Sequence, residues 1–330
     1  MANDNVILGI KNLNKEFRLR GDGLFGKPQT LHALSGVSLD VYEGETLGII
    51  GESGCGKSTL GRCIVGLHEP TSGEIIYNGQ DISKLKGAAR KPVHKDLQMI
   101  FQDSYSSLDP RFTAAASIEE PMIIHGIESD AAKRQQKVLD LMKEVGLDIQ
   151  HLQRYPHEFS GGQRQRINVA RALSLDPKII VCDEPVSALD VSIQAQVLNL
   201  FRRLQRERGL TYIFISHDLS VVKHISDRVA IMYLGRVMEI SPAHSIYENP
   251  LHPYTKALLS AIPPENPFER HPEMKLEGEI PSPVGEQVGC PLAGRCPNAT
   301  ERCHHERPAL MEVEDNHRVA CFLYHDRVAE

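Results

Sequence analysis

The sequence lacks several features that would assign the protein to a class at once. No apolar run reaches the roughly 18 residues that a membrane span needs, and residues 1–5 do not show the basic and then apolar pattern of a secretory signal. Positive charge is not in excess, because the net charge is −6 at pH 7, so the composition gives no support for a nucleic-acid-binding protein. Sustained heptad repeats are also missing. We therefore expect a cytosolic protein that reaches a membrane only through partners.

The remaining composition is that of an ordinary globular protein. Hydrophobic residues make up 41% and charged residues 24% of 330 residues, enough chain for a large domain and a smaller one. Strand patterns alternate with helical patterns, which predicts an α/β fold with a mostly parallel core sheet and crossover helices. Residues 6–17 are predicted as an edge strand and residues 20–30 as a loop. Prolines crowd the chain after residue 249, so we predict a domain at 1–250, with a helical lobe at about 103–175, and a small irregular C-terminal extension at 251–330.

The strongest motif is residues 51–58, which have the pattern Gly-x4-Gly-Lys-Ser of a phosphate-binding loop. An apolar run at 46–50 predicts a buried strand before it, and residues 59–67 predict a helix after it. Glycines let the backbone N–H groups point at phosphate oxygens, and the helix N-terminus adds further donors. Lys57 would bridge the β- and γ-phosphates, and Ser58 would hold Mg²⁺. Nucleotide contacts are predicted for Gly51, Ser53, Gly54, Cys55, Gly56, Lys57, Ser58 and Thr59.

A second motif is the apolar strand at 179–182, which ends in the two acids Asp183 and Glu184. In a phosphate-loop protein the first acid at such a strand end holds Mg²⁺, here through water. Glu184 would then polarise an attacking water molecule. A solvated acidic strand end is the alternative interpretation, and the phosphate loop upstream disfavours it.

A third motif is Ser160-Gly161-Gly162-Gln163, which precedes a predicted helix and so forms an anion-binding helix terminus. By itself it would be an ordinary N-cap. Between a phosphate loop and an acidic strand, it resembles the signature motif of ATP-binding cassette (ABC) proteins. The remaining motifs of that family follow the same resemblance: the glutamine-loop residue Gln102, the D-loop at 187–190, the switch histidine His217 and the adenine-stacking aromatic Phe17.

This resemblance covers about residues 6–250 and implies a fold, cofactors and a mechanism. The fold would be a phosphate-loop NTPase of the ABC cassette type, with an antiparallel β part and a helical lobe. ATP and Mg²⁺ would be the cofactors, and the chain would be an ATPase. Catalytic roles are implied for Glu184, His217 and Gln102, and Mg²⁺ ligation for Ser58, Gln102 and Asp183. The family dimerises head to tail, so ATP on one chain would be contacted by signature and D-loop residues of the other: Ser160, Gly161, Gly162, Gln163 and Asp190.

Further segments resemble the oligopeptide and dipeptide importer ATPases, and most closely their second, F-type subunit. They are residues 249–259, 154–157 and 278–283. The resemblance implies a heterodimer with a homologous second ATPase subunit, two membrane permease subunits, an extracytoplasmic peptide-binding protein, and a place on the cytoplasmic face of the membrane. Importers of nickel or glutathione carry similar tails. The alternatives from other classes are a soluble ABC ATPase acting on nucleic acid or ribosomes, and a redox sensor.

Four of the seven cysteines fall near the C-terminus with the spacing Cys290-x5-Cys296-x6-Cys303-x17-Cys321. Four thiolates can enclose a zinc ion or a [4Fe–4S] cluster, and buried apolar cysteines without metal are the remaining alternative. The wide gaps, and the resemblance to family members with this pattern, favour the cluster. We expect His304, His305 and His317 to be surface residues. We also expect the cysteine site to lie beyond the cassette and to take no part in hydrolysis.

Overall fold

A computed structural model describes residues 5–19, 28–261, 274–285 and 287–325. Most of the loop predicted at 20–30, and the prolines between 263 and 272, lie outside these ranges. The described chain forms two compact units. Within the described ranges, no helix is both long enough and apolar enough to span a membrane.

Strands and helices alternate along the chain. The strands are β1 (Val6–Leu19), β2 (Gln29–Tyr42), β3 (Thr46–Ile50), β4 (Ser72–Tyr77), β5 (Gln80–Asp81), β6 (Leu97–Ile100), β7 (Ile179–Asp183), β8 (Thr211–Ser216), β9 (Arg228–Tyr233), β10 (Arg236–Pro242), β11 (Met311–Glu314) and β12 (His317–Val319). The helices are α1 (Lys57–Val65), α2 (Lys91–Asp96), α3 (Ala114–His125), α4 (Ala131–Glu144), α5 (Gly161–Leu173), α6 (Val191–Arg208), α7 (Leu219–Ile225), α8 (Ala243–Glu248), α9 (Pro253–Ser260), α10 (Glu301–His305) and α11 (Phe322–His325). The predicted α/β fold is confirmed.

The first unit contains residues Lys84–Ile215 with Tyr42–Thr46. Its strands β6, β7 and β8 pair in parallel, and Ile100 lies opposite Cys182. Parallel pairing requires crossover connections, which α5 and α6 help to supply. Helices α3, α4 and α5 pack on one another, and the apolar face predicted for α4 is buried at Val138, Leu141 and Met142.

The second unit contains the described residues of Val6–Val41, Leu47–Ser83 and Ser216–Glu330. One of its sheets has the order β2-β1-β4-β5. The prediction of an edge position for β1 is therefore wrong: β1 lies between β2 and β4, with Leu8 opposite Tyr77. Residues 7–10 of β1 are all buried, so both faces of the strand are covered there. The sequence pattern of a strand does not show how many neighbouring strands it is hydrogen-bonded to.

A second sheet of this unit carries the phosphate-loop strand and reaches into the C-terminal region. β3 pairs in parallel with β9, β9 and β10 are antiparallel, and β12 pairs with both β10 and β11. A small apolar cluster of Leu251, Val319 and Tyr324 packs beside it. The prediction of an irregular extension is thus incomplete, because β12 joins a strand that lies far earlier in the sequence.

The prediction that His317 is a surface residue is wrong, because its side chain is buried. Its Nε2 lies 2.7 Å from Oε1 of Glu239, which is fully buried. The same carboxylate accepts hydrogen bonds from the backbone N–H groups of Leu251, at 2.7 Å, and His252, at 3.0 Å. This pairing compensates the cost of burying a charge and ties the C-terminal region to β10. His304 and His305 are exposed, as predicted.

Candidate functional site

The phosphate-loop motif lies between β3 and α1, as its sequence context predicts. All of β3 is buried, and α1 begins directly after Gly56, whose φ of 101° suits glycine. Gly51 has no room for a side chain, because a Cβ there would overlap the carbonyl oxygen of Met232 and lie 2.6 Å from Cys55 Sγ. The glycines therefore serve both the turn and the close approach of the backbone to β9.

Lys57 is buried within this loop and is held by the loop itself. Its Nζ donates to the carbonyl oxygens of Gly51, at 2.7 Å, and Glu52, at 2.9 Å. The thiol of Cys55 lies 3.7 Å from the same nitrogen, and burial raises the pKa of that thiol. The loop thus places an ammonium group beside a helix N-terminus. Both attract anions, so the arrangement suits the binding of phosphate.

In the first unit, two residues with predicted catalytic roles are in contact. Gln102 Nε2 donates to Glu184 Oε2 at 2.8 Å. The parallel register explains the contact, because both residues lie two positions beyond the pair Ile100 and Cys182. Glu184 has a φ of 48°, which is uncommon for a residue other than glycine and is found at functional sites. Asp183, immediately before it, is buried.

The signature segment forms a capped helix start. Ser160 is the N-cap of α5; its Oγ accepts from the N–H of Gln163 at 3.4 Å, and the Gln163 side chain accepts from the N–H of Ser160 at 3.0 Å. Ser160 is exposed whereas Gly162 is buried, and a Cβ at Gly162 would overlap Ile193. The contacts are those of an N-cap, and anion binding at this helix terminus stays a prediction.

The other predicted nucleotide residues lie where elements begin or end. Phe17 is half-buried on β1, beside His68 at 5.5 Å between ring centroids and under Lys15 Nζ at 4.9 Å. Asp190 is the N-cap residue of α6, and His217 directly follows β8 and is exposed. The nucleotide, magnesium and catalytic roles assigned to these residues and to the loops stay predictions.

Sequence reasoning missed a contact between the C-terminal region and the phosphate loop. Arg295 Nη1 lies 3.1 Å from Glu52 Oε2, and the Glu52 N–H donates to Tyr254 Oη at 3.0 Å. The cysteine segment follows the cassette in the chain, as predicted, yet Arg295, which directly precedes Cys296, contacts the phosphate loop. That the cysteines take no part in hydrolysis stays a prediction. No local pattern in the sequence could have revealed a contact between residues so far apart in the chain.

The four C-terminal cysteines surround one cavity of about 340 Å³. Burial raises the pKa of the Cys290 and Cys321 thiols to about 11 and also raises that of Cys296. Across the described ranges, no three His, Cys, Asp or Glu side chains are grouped closely enough to hold a metal ion. The predicted iron–sulfur cluster, or zinc ion, stays a prediction.

Comparison with known proteins identifies the class first. The family described as ABC transporter matches residues 34–187. The structure of the ATP-binding cassette MJ0796, a post-hydrolysis dimer bound to ADP and Pi, matches with a TM-score of 0.64 and 29% identity, covering 72% of this chain and 98% of that one. The fold is thus that of an ATP-binding cassette, as predicted.

More similar relatives then define the family. The oligopeptide transport ATP-binding protein AppF of Bacillus subtilis is 51% identical over 98% of this chain and 99% of its own length. The dipeptide transport ATP-binding protein DppF of Haemophilus influenzae is 51% identical over 96% of both chains. The family described as the C-terminal region of oligopeptide/dipeptide transporters matches residues 238–303. The chain belongs to the family of oligopeptide and dipeptide transport ATP-binding proteins.

Proposed function

We propose that this protein is the ATP-hydrolysing subunit of an importer that carries dipeptides or oligopeptides across the cytoplasmic membrane. The observation that carries the proposal is the match of residues 238–303 to the C-terminal region of oligopeptide/dipeptide transporters, on a chain that also carries the cassette. Fold alone does not specify a transported solute. The C-terminal region and relatives at about half identity over nearly the whole chain make peptides the favoured solute.

Nucleotide would bind at the phosphate loop, with Lys57 on the β- and γ-phosphates and Ser58, Asp183 and Gln102 around Mg²⁺. Glu184 would orient the attacking water. The direct hydrogen bond between Gln102 and Glu184 supports this assignment, because it links the proposed Mg²⁺ ligand to the residue proposed to orient water. Phe17 would stack on adenine, and its partly exposed ring supports that role. His217 would contact the γ-phosphate.

The signature segment would act on ATP held by a second ATPase subunit. Ser160 is exposed at the start of α5, where a helix terminus can face an anion on another chain. ATP bound between two such surfaces would hold the two ATPase subunits together, and hydrolysis would let them separate. The free energy of ATP binding would thus drive a movement of the two subunits. We propose a homologous, non-identical ATPase as the partner, with two membrane permease subunits and an extracytoplasmic peptide-binding protein completing the transporter.

Uptake of labelled peptides tests the transported solute. Cells that lack this protein should recover dipeptide or oligopeptide uptake when they receive the wild-type chain, and should not recover it with Glu184→Gln. The same cells should be tested with Ni²⁺ and with glutathione. Recovery of either of these, without recovery of peptide uptake, would contradict the peptide assignment. Association with ribosomes instead of membrane permeases in detergent extracts would contradict transport altogether.

The four cysteines are the proposed ligands of a [4Fe–4S] cluster. Support comes from the cavity that all four of them line, because cysteine thiolates are the protein ligands of such clusters. A cluster holds each thiolate on a different iron, so its ligands lie further apart than those of one zinc ion. The wide spacing of the four cysteines in the sequence favours the cluster over a single zinc ion.

Metal analysis tests this proposal. Protein purified without oxygen should be brown and contain about four irons per chain. Cys296→Ser should remove the colour, whereas Cys63→Ser, which changes a buried cysteine in α1, should keep it. Colourless protein with one zinc ion per chain would assign the site to zinc instead of a cluster. Protein with neither metal would refute both assignments.

A further inference from the structure

The residue that joins the C-terminal region to the ATP site is Glu52, the second residue of the phosphate loop. Its backbone N–H donates to Tyr254 Oη at 3.0 Å, and its carboxylate pairs with Arg295 at 3.1 Å. Its carbonyl oxygen accepts from Lys57 Nζ at 2.9 Å. A single loop residue is therefore bonded on one side by the C-terminal region and on the other by the lysine of the loop.

The contact from Arg295 is well defined. The side chains of Arg295 and Glu52 are only 11% and 26% exposed, so the pair is partly shielded from solvent. Nη1 of Arg295 also donates to Tyr233 Oη at 3.2 Å. The backbone of Arg295 lies in a turn in which the N–H of Cys296 bonds to Leu292 at 2.9 Å. Two partners on the guanidinium and a hydrogen-bonded turn fix its position.

The contact from Tyr254 is equally constrained. Tyr254 is fully buried, and burial raises the pKa of its phenol, so the neutral hydroxyl group accepts the N–H of Glu52. Its own N–H donates to Nδ1 of His252, the N-cap of α9, at 3.0 Å. Burial lowers the pKa of His252 to about 4, which keeps that ring neutral and able to accept. His252 itself lines the cavity that the four cysteines surround.

From these contacts we infer that Arg295 and Tyr254 are positioning residues for ATP binding, which set the conformation of the phosphate loop through Glu52. Neither residue needs to touch the nucleotide. They hold the segment whose carbonyl groups orient Lys57, so their loss would weaken ATP binding through a misplaced loop. The inference rests on the proposal that ATP binds at this loop. It adds that the C-terminal region is part of the ATP-binding apparatus.

A double-mutant cycle on the purified full-length protein tests the inference, with Mg²⁺ and ATP as the probe. Arg295→Met and Glu52→Gln should each raise the dissociation constant about threefold to tenfold. The dissociation constant of the double variant should be no higher than that of the more weakly binding single variant, because each single change already removes the interaction between the two side chains. The control is Arg307→Met, which replaces an exposed arginine of the same region and should leave the dissociation constant unchanged.

A second measurement reports on the loop itself. Hydrogen exchange of a peptide containing Glu52 should become faster in Tyr254→Phe, which removes the acceptor of that N–H, and should not change in Arg307→Met. If Arg295→Met does not fold, Arg295→Lys with Glu52→Gln completes the cycle.

The outcomes separate this inference from the proposed function. Wild-type protein that fails to bind ATP would refute the ATP site. If the wild-type protein binds ATP and both single variants bind it equally well, the positioning role alone is refuted. The same holds if Arg295→Met and Glu52→Gln weaken ATP binding independently of each other.

Discussion

Replacing Gly51 with alanine tests whether the close approach of the phosphate loop to β9 is structurally necessary. The new Cβ would lie 2.6 Å from Cys55 Sγ and closer still to the Met232 carbonyl oxygen, against an optimal separation of about 3.5 Å. The obstacle is backbone, and β9 is paired with β3, with Ile50 opposite Ile231. Neither strand can yield without losing hydrogen bonds, so we expect a destabilisation of about 3 kcal/mol, the upper end for an overpacked core.

Gly54→Ala is the matched control in the same loop. Gly54 has a φ of +77°, but a methyl group added there would meet no heavy atom within 4 Å, so alanine should cost only about 1 kcal/mol of backbone strain. The difference of about 2 kcal/mol corresponds to roughly 4–8 °C in the midpoint of thermal unfolding. Gly51→Ala should also bind ATP about tenfold more weakly or worse, because Lys57 is bonded to the Gly51 carbonyl. A Gly51→Ala protein as stable as Gly54→Ala would refute the reasoning.

Three further predictions concern the catalytic cycle. Glu184→Gln should keep ATP binding, since an amide at this position can still accept from Gln102, but should nearly abolish turnover; turnover within a few-fold of wild type in the assembled complex would contradict this. Gly162→Asp should block closure on the partner's ATP by charge repulsion. Any side chain at this position also meets Ile193, so Gly162→Asn serves as the uncharged control. Equal loss in both variants would show a steric effect only. Cysteines introduced at 103–125 should cross-link to cytoplasmic loops of the permeases, and cross-links to another ATPase alone would contradict the proposed coupling.

Several elements were predictable because their signals are local. The phosphate loop combines glycines, lysine and serine at fixed spacing between a strand and a helix, and the structure has β3 and α1 at those places. The apolar face of α4 follows from helical periodicity, and its residues are buried. Motif order along the chain was enough to indicate the family, which the comparisons then showed.

Other features depend on pairing between distant segments, which local patterns do not encode. The interior place of β1, the joining of β12 to β10 and the contact of Gln102 with Glu184 each arise from strand register. A one-residue change of register would leave the sequence pattern of each strand intact but separate these partners.

The C-terminal region shows the same division most clearly. The sequence alone determined that four cysteines lie close together in the chain, and that residues of this region resemble peptide-importer ATPases. Only the tertiary structure decided that the cysteines share a cavity, that His317 is buried against Glu239, and that Arg295 reaches Glu52. The physical reason is that burial and ion pairing depend on which surfaces meet after folding, and residues more than two hundred positions apart meet only through the fold.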